Sequence, residues 1–378
     1  MVFQNTQQEV ELMHLVISGY YGFNNIGDEA ILDSIILGLR KVNPNINITV
    51  LSNNPKTTEQ KYNVHAVNRK NIMAINQVIK QSDGLISGGG SLFQDSTSIK
   101  TVPYYAGIIK IATIHQKPIF IYAQGVGPLN RRISKWIVKR IFNQANQITV
   151  RDMDSKILLS EIGVNHEPII VPDPVLGLNG EKTKTRYSLH FRHSQPVISV
   201  SVRDWPTKKP YKERIAHALD QLADNGYSIR FVPMHGEHDK QTSKEIDALM
   251  QHQSQIIDCN ASIEEKIAAI GHSKLLIGIR LHALIFSAIS HVPFIALSYD
   301  PKIDAFAQIC QQPIIGHIEN DDWDGDKLFD VAKQVLLNEV NNKHSLQSHV
   351  KQLQDEAHRT PVMAINMFIK HAKGGHDE

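Results

Sequence analysis

Short runs of β-branched and apolar residues alternate along the chain with longer stretches of helical period. The first run is HLVIS at residues 14–18, and a glycine-bearing turn and a helix over about residues 28–41 follow it. A strand, a turn and a helix repeated in this order are typical of parallel sheets, because parallel strands need a crossover connection. The pattern predicts an α/β fold. Strands are expected at residues 14–18, 48–52, 84–87, 119–123, 148–151, 169–171, 197–202, 228–233, 255–258, 275–279 and 294–298.

The alternation runs through two cycles, which predicts two Rossmann-like domains. The 378 residues suffice for two domains of ordinary size, at about 150 residues each. We expect an N-terminal domain over residues 1–178, a linker over 179–196, a C-terminal domain over 197–345 and a helical tail over 346–378. Ligands of doubly wound sheets bind beyond the carboxyl ends of the strands. The domains are therefore expected to face each other across a cleft, with the chemistry in the turns that follow strands.

The charges are nearly balanced, with 40 basic and 38 acidic side chains. A balanced chain lacks the broad positive field that wraps nucleic acid, so no nucleic-acid partner is expected. An anion would instead be bound by a few local groups. Two cysteines, Cys259 and Cys310, are too few for a disulfide framework and fit a reducing compartment. The histidines and cysteines show no zinc-binding spacing, so no metal site is predicted.

No segment predicts export or membrane insertion. The first twelve residues, MVFQNTQQEVEL, are polar and lack the pattern of a signal peptide. No window of about 18 apolar residues is present. We therefore expect a cytoplasmic protein. A basic run made by Arg131, Arg132, Lys135, Lys139 and Arg140 is compatible with peripheral contact with the inner face of the membrane, and also with a solvated helix face.

Two glycine-rich turns follow predicted strands of the first half. The turn GYYGFNNIGDEA at residues 19–30 does not have the G-x-G-x-x-G spacing of a dinucleotide site. Its polar side chains either contact sugar hydroxyls or cap the following helix. The turn SGGGSLFQD at residues 87–95 offers bare amides for close ligand approach, without the lysine of a P-loop. The candidate sugar-contacting residues are Asn25, Asp28, Gly89, Gly90, Gln94 and Asp95.

Arginines and histidines stand at several strand ends. Arg280 ends the run LLIGIR, a helix begins at about Leu281, and His282 lies in its first turn. An arginine fork suits a carboxylate or a phosphate, and a helix N-terminus adds free amides. Histidine can donate or accept a proton near neutral pH. The structural alternative is an arginine paired with a carboxylate beside a capping histidine. Other strands end at Arg151, Arg203 and His235.

These segments together resemble the polysaccharide pyruvyl transferase family, in particular its bacterial cell-surface-anchoring branch. The resemblance extends from near the N-terminus to about residue 299 and implies a GT-B-like glycosyltransferase fold of two Rossmann-type domains. The matching segments are GYYGFNNIGDEAI (19–31), GGGSLFQD (88–95), AQGVGP (123–128), Arg151-Asp152, PDPV (172–175) and GIRLHAL (278–284).

The resemblance also implies an activity. Such an enzyme transfers pyruvate from phosphoenolpyruvate, a co-substrate, to a sugar, forms a cyclic ketal and releases phosphate; no cofactor is implied. In the surface-anchoring branch the acceptor resembles an N-acetylmannosamine–N-acetylglucosamine disaccharide on a lipid diphosphate. The ketal bridges the 4- and 6-hydroxyls of the N-acetylmannosamine, and the finished secondary cell wall polymer binds S-layer homology domains.

Family donor-site residues correspond to Arg151, Arg280, Leu281 and His282. Two arginines would match the carboxylate and phosphate of phosphoenolpyruvate, His282 would act as general acid, and the arginines would stabilise developing charge. Arg203 and His235 join the donor site on the grounds of their strand-end positions, and the six residues of the glycine-rich turns become the acceptor site.

Two alternatives stay open at this point. One is a nucleotide-sugar glycosyltransferase of the same GT-B fold, with the helix after Arg280 holding a diphosphate. The other is a sugar-binding module without catalysis, which predicts acceptor binding and no donor consumption.

Overall fold

A computed structural model describes residues 13–96, 98–188, 190–191 and 194–374. The prediction about the first twelve residues lies outside the described residues. The chain forms two compact units. The first contains residues 13–23, 31–174 and 357–374, and the second contains residues 24–30 and 175–356, so neither unit is one continuous stretch of chain.

The first unit is built on an eight-stranded parallel sheet. Seven strands follow the order β3-β2-β1-β4-β6-β7-β8, and β5 pairs with β6 beyond the end of β4. The order reverses between β1 and β4, which makes that place the topological switch point of a doubly wound sheet. The strands are β1 (His14–Tyr21), β2 (Asn47–Ser52), β3 (His65–Asn68), β4 (Gly84–Ser87), β5 (Gly90–Phe93), β6 (Ile119–Val126), β7 (Gln147–Val150) and β8 (Ile169–Ile170).

Helices pack on this sheet and bury its apolar residues. The core joins apolar side chains from the sheet with those of α3, α4 and α5. On α15, Pro361 packs against Gly38 of α1, and Phe368 packs against Gly84. A side chain on either glycine would overlap with the ring that packs against it. The helices are α1 (Ile26–Val42), α2 (Pro55–Tyr62), α3 (Ile72–Gln81), α4 (Thr101–Ile114), α5 (Arg132–Phe142), α6 (Met153–Glu161) and, from the C-terminal region, α15 (Arg359–Gly374).

The second unit is built on a six-stranded parallel sheet in the order β11-β10-β9-β12-β13-β14. Counted from β9, this is the 3-2-1-4-5-6 order of the dinucleotide-binding Rossmann fold, with its switch point between β9 and β12. The strands are β9 (Val197–Ser201), β10 (Ser228–Phe231), β11 (Gln255–Ile256), β12 (Leu275–Gly278), β13 (Phe294–Ser298) and β14 (Ile314–His317).

The helices of the second unit begin at residues suited to capping. Ser262 and Glu265 form a reciprocal capping box at the start of α10, and Asp300 and Asp324 accept amides at the starts of α12 and α13. The helices are α7 (Gly180–Arg186), α8 (Tyr211–Asp224), α9 (Gly236–Asp247), α10 (Ile263–Gly271), α11 (Leu281–Ile289), α12 (Pro301–Ile309), α13 (Gly325–Leu337) and α14 (Glu339–Ala357).

The predicted α/β class with two parallel sheets is confirmed, while the division of the chain differs from the predicted boundaries. The stretch expected as a linker, 179–196, contains α7, which packs on α10 and α11 of the second unit. The expected tail, 346–378, is divided between the units, because α14 belongs to the second and α15 to the first. The prediction that the domains face each other across a cleft stays a prediction.

None of the helices in the described part of the chain is long and apolar enough to cross a membrane.

Candidate functional site

Side chains of four neighbouring strands gather at the carboxyl edge of the second sheet. His235 follows β10, Arg203 follows β9, Arg280 follows β12 and Tyr299 follows β13. These strands are adjacent in the sheet, and the switch point lies between the strands of Arg203 and Arg280. A doubly wound sheet binds its ligand at this position. The structure thus brings together three residues that the sequence assigned to the donor site.

Arg280 is held by a buried carboxylate. Its Nε donates to Oδ2 of Asp239 at 2.9 Å, and its Nη2 donates to Oδ1 of the same residue. Asp239 is 1% exposed, and its Oδ2 also accepts the backbone amides of His235 at 2.9 Å and Met234 at 3.2 Å. The pairing that the sequence left as a structural alternative is therefore present. It fixes the direction of the guanidinium and ties the loop before α9 to the start of α11.

His235 lies in a positive environment. Burial is the largest cause that lowers its pKa below 6.5, the charges of Arg280, His238 and Arg203 lower that pKa further, and the charge of Asp239 opposes them. At neutral pH its imidazole is therefore mainly uncharged and able to accept a proton. The influence of Arg280 and Arg203 on this pKa indicates that the three side chains share one electrostatic environment.

Arg203 lies beside two aromatic rings that contact each other, with ring centroids 4.9 Å apart. Its guanidinium carbon is 4.4 Å from the ring centroid of Tyr299 and 5.1 Å from that of Trp205. Its Nε is buried and has no hydrogen-bond partner in the described structure. A cation–π contact leaves N–H groups of a guanidinium available for an anion, because the ring itself accepts no conventional hydrogen bond. Arg203 is thus a positive group held by packing.

His282 lies in the first turn of α11, directly after the buried Leu281. Its ring packs against Gly27 so closely that a Cβ on Gly27 would lie 2.1 Å from Nδ1. The first-turn amides of an α-helix have no partners within the helix, so this turn offers donors together with the imidazole. The sequence prediction that Arg280, Leu281 and His282 share one turn agrees with this geometry.

Asn25 and Asp28 lie in the second unit, although the sequence placed them with the N-terminal domain. Asn25 forms an isolated antiparallel bridge with His235, and the amide of Ile26 donates to Met234 at 3.0 Å. Asn25 also accepts the amide of Gly27 and donates to the carboxylate of Asp28. Both side chains thus help to open α1, which is the capping role the sequence left open. The segment 24–30 packs beside His235 and His282, on the predicted donor side.

Arg151 follows β7 in the first unit and is largely enclosed. Its side chain is 8% exposed and lies 3.6 Å from the carboxylate of Asp173 and 3.5 Å from that of Asp152. Its Nη2 donates to Ser91 at 2.8 Å, and a Cβ on Gly125 would lie 2.9 Å from its Nε. Two carboxylates and one hydroxyl therefore already surround the guanidinium. The donor role expected for Arg151 stays a prediction.

The glycine run of the first unit serves close packing. A Cβ on Gly88 would lie 2.2 Å from the hydroxyl oxygen of Tyr21, and one on Gly89 would lie 3.0 Å from Ile31. Gly90 has a φ of +95°, and its carbonyl accepts the side-chain amide of Gln124. These contacts explain the glycines without a ligand.

Gln94 and Asp95 also have structural partners. Gln94 accepts the amide and the hydroxyl of Ser96 at 2.9 and 2.8 Å. Asp95 accepts the amides of Asn130 at 2.8 Å and Arg131 at 2.9 Å, before α5. Burial raises the pKa of Asp95, but these amides, the hydroxyl of Ser134 and the charge of Arg131 outweigh it and hold the pKa below its usual range. The acceptor role expected for Gln94 and Asp95 stays a prediction, and a bound sugar would have to contact them in addition to these hydrogen bonds.

Sequence reasoning missed Asp239 and the two rings around Arg203. Asp239 follows His235 by four residues and lies in the first turn of α9. Its position shortly after a strand could have marked it as a candidate site residue. Trp205 and Tyr299 each follow a strand but come from distant parts of the chain, so their convergence has no local signal. In the described part of the chain, no group of three or more His, Cys, Asp or Glu side chains is arranged to hold a metal ion.

The fold is shared with solved enzymes of sugar-nucleotide chemistry. The MnaA protein of S. aureus, in a co-structure with UDP, matches with a TM-score of 0.65 at 10% identity, covering 96% of this chain and 97% of that one. The UDP-GlcNAc 2-epimerase of Neisseria meningitidis matches with a TM-score of 0.63 at 12% identity, over 95% and 100% of the two chains. The heptosyltransferase II of E. coli matches with a TM-score of 0.53 at 14% identity, over 87% and 100%. The chain therefore has a GT-B-like fold.

Within this fold class the sequence defines the family. The model of the polysaccharide pyruvyl transferase family matches residues 25–301, and the chain belongs to that family. The amylovoran biosynthesis protein AmsJ of Erwinia amylovora is 21% identical over 247 residues, which are 59% of this chain and 58% of that protein. The chain thus matches a little under three fifths of the length of this relative.

Proposed function

We propose that the protein transfers a pyruvyl group from phosphoenolpyruvate to a sugar of a polysaccharide precursor. Membership of the polysaccharide pyruvyl transferase family supports this activity. The observation that carries the proposal is the group formed by Arg203, His235, Arg280 and His282. Arg280 is fixed by Asp239, and Arg203 lies against the ring of Tyr299. The charges of both arginines act on His235, and His282 follows Arg280 by two residues. A small trianion with a carboxylate and a phosphate matches this arrangement.

In the proposed reaction the methylene carbon of phosphoenolpyruvate receives a proton and becomes the methyl group. His282 supplies that proton, the central carbon gains positive charge, and the first sugar hydroxyl adds to it. The second hydroxyl then displaces phosphate as the C–O bond breaks and closes the ketal. One hydroxyl proton replaces the proton lost from His282, and the other leaves with phosphate. The arginines and the first-turn amides of α11 stabilise the charges that develop.

The finer features rest on the family resemblance of the sequence. We propose the N-acetylmannosamine of a lipid-diphosphate-linked disaccharide as acceptor, a 4,6-linked ketal as product, and an S-layer-anchoring cell wall polymer as its destination. Cys259 and Cys310 are both free and buried, which supports a reducing, cytoplasmic compartment. No cofactor enters the proposed reaction.

The test is incubation of the protein with phosphoenolpyruvate and the disaccharide acceptor. We expect release of inorganic phosphate and a product heavier than the acceptor by one pyruvyl ketal, measured by mass spectrometry. Release of a nucleoside diphosphate from a sugar nucleotide, with phosphoenolpyruvate untouched, would instead identify a glycosyltransferase. Acceptor binding with neither donor consumed would identify a sugar-binding module.

A further inference from the structure

A long segment of the first unit contains no acidic residue. The whole chain has 38 acidic residues among 378, about one in ten, yet residues 96–151 contain none. The same 56 residues contain nine lysines and arginines. The near neutrality of the chain therefore conceals a strongly basic segment, and α4 and α5, which pack against each other, lie within it.

The positive charge is concentrated on the outward face of α5. Trp136 lies on this face with 55% of its side chain exposed, and Ile133, one turn earlier, is 57% exposed. Residues three or four apart are neighbours on a helix surface. The neighbours of Trp136 by this rule are Arg132, Ile133, Lys139 and Arg140. An exposed indole is therefore surrounded by three cations and one apolar side chain.

These cations have no acidic partners. Arg132, Lys135, Lys139 and Arg140 form no ion pair with any carboxylate in the described part of the chain, and the guanidinium of Arg140 lies 5.6 Å from the ring of Trp136. Arg131 precedes the helix and interacts with the carboxylate of Asp95. Some lysines elsewhere do form ion pairs, as Lys156 does with Glu167 at 2.9 Å and Lys274 with Glu339 at 2.9 Å. The opposite face of α5 is buried through Val138, Ile141 and other core residues.

We infer that the outward face of α5 docks on a membrane surface that contains anionic phospholipid. A solvated helix face needs no exposed tryptophan, whereas an interfacial helix combines basic side chains with Trp and aliphatic anchors. The indole and Ile133 enter the headgroup boundary, and the surrounding cations meet lipid phosphates. Charge complementarity selects an anionic bilayer, because neutral lipid offers no counterpart for the four unpaired cations of α5.

This inference goes beyond the proposed reaction and depends on different residues. None of the residues of the α5 face belongs to the candidate donor or acceptor site. Pyruvyl transfer to a water-soluble acceptor can therefore succeed while membrane docking fails, and the reverse can also occur. The two proposals can therefore be rejected independently of each other.

The test is sedimentation of the full chain with vesicles of phosphatidylglycerol and phosphatidylcholine, and with vesicles of phosphatidylcholine alone. We expect binding to the anionic vesicles only, weakening as salt rises. Each basic side chain near such a surface contributes about fivefold to the binding constant, so the triple variant Arg132→Gln, Lys139→Gln, Arg140→Gln should bind about a hundredfold more weakly. Trp136→Ala should weaken binding about tenfold with all charges intact.

The matched control is the triple variant Lys41→Gln, Lys56→Gln, Lys333→Gln. It removes the same net charge from exposed positions outside α5, and we expect its vesicle binding to stay within threefold of the parent. Equal binding to both kinds of vesicle, or an equal loss in the control variant, would overturn the inference. The inference would also be overturned if the Trp136→Ala variant and the α5 triple variant both bound the anionic vesicles as strongly as the parent. Circular dichroism checks that every variant is folded.

Discussion

Asp239 connects two loops of the candidate site through one carboxylate. It receives two hydrogen bonds from Arg280 and two from the backbone that precedes α9. With Asp239 1% exposed, these bonds lie in a poorly solvated place. A buried charge of this kind is tolerated only while its partners are present.

Replacing Asp239 with Asn should destabilise the protein as well as the site. The amide group can accept at one oxygen only and leaves the Arg280 charge without compensation, so we expect the free energy of unfolding to fall by about 3 kcal/mol. Urea denaturation measures this change. The control is Asp326→Asn, a 70% exposed carboxylate that pairs with His217, for which we expect little change because exposed ion pairs contribute little to stability. A smaller loss for Asp239 than for Asp326 would contradict the role given to this carboxylate.

His282→Ala tests the proposed general acid. We expect turnover to fall about 100- to 10,000-fold, because the variant lacks the proposed proton donor to the methylene carbon, while phosphoenolpyruvate binding stays close to that of the parent. Phosphate release measures the first quantity and titration calorimetry the second. His166→Ala changes an exposed histidine of the first unit and should leave both unaltered. Turnover of His282→Ala near that of the parent would remove this residue from the mechanism.

Single residues of the candidate site were more predictable from the sequence than the residues that contact them. Arg280 and His282 were predictable because they stand at a strand end and a helix start, and both are local features. The pairing of Arg280 with Asp239 joins residues 41 positions apart, and the ring of Tyr299 that lies against Arg203 follows a different strand, β13. Such pairings depend on the order of strands in the sheet, which the local pattern does not contain.

The first turn of α1 packs against the first turn of α11 at a glycine. Gly27 in the first turn of α1 leaves room for the ring of His282. A methyl group at residue 27 would overlap that ring, so either the ring or the helix would have to move.

We expect Gly27→Ala to reduce turnover about 100-fold, because displacing a reacting group by about 1 Å has an effect of that size. The free energy of unfolding should fall by only about 1–3 kcal/mol, as for other overpacked sites. Phosphate release and urea denaturation measure the two effects.

The control is Gly107→Ala in α4, where a Cβ would meet no atom within 4 Å. Alanine is favoured over glycine inside a helix, so this variant should be more stable by about 0.5–1 kcal/mol with unchanged turnover. Full turnover of Gly27→Ala would show that the ring of His282 need not occupy its observed place.

Most elements with a strong local pattern were predictable. The strands at 84–87 and 294–298 begin and end at the predicted residues, and most others differ by one to three residues at an end. The short strands β3, β5 and β14 were not predicted. In β5 the pattern is interrupted because the strand begins inside the glycine run, and β3 and β14 lie at sheet edges with only four residues each.

At the scale of the whole molecule, stability should fall with acidification below about pH 6.5. Burial is the largest cause that lowers the pKa values of four histidines in the folded protein, which are His14, His235, His272 and His291. The unfolded chain therefore takes up protons at a higher pH than the folded one, and protonation favours unfolding. Stability is fully present above the unfolded value of about 6.5 and is lost as pH falls below it.

Urea denaturation at pH 5.5, 6.5 and 7.5 tests this expectation. His291→Gln removes one of the four histidines, so the decline between pH 7.5 and 5.5 should be shallower than in the parent. His166→Gln, an exposed histidine, should leave the decline unchanged. A parent protein that is more stable at pH 5.5 than at pH 7.5 would contradict the assignment.

The two sheets were predictable from the sequence, and the path of the chain between the units was not. Residues 24–30 pack with the second unit and residues 357–374 with the first. Periodicity predicts which residues form a helix and which face is apolar. It does not say which sheet will cover that face, because either sheet offers an apolar surface to α15.

The return of α15 sets an order for events during protein synthesis. The ribosome completes β1 to β8 long before residues 357–374 emerge, although Pro361 and Phe368 cover glycines of this first unit. Domains commonly fold one after another as they leave the ribosome. Here the first sheet to be translated keeps part of one face exposed to water until residues 357–374 have been made and can cover it.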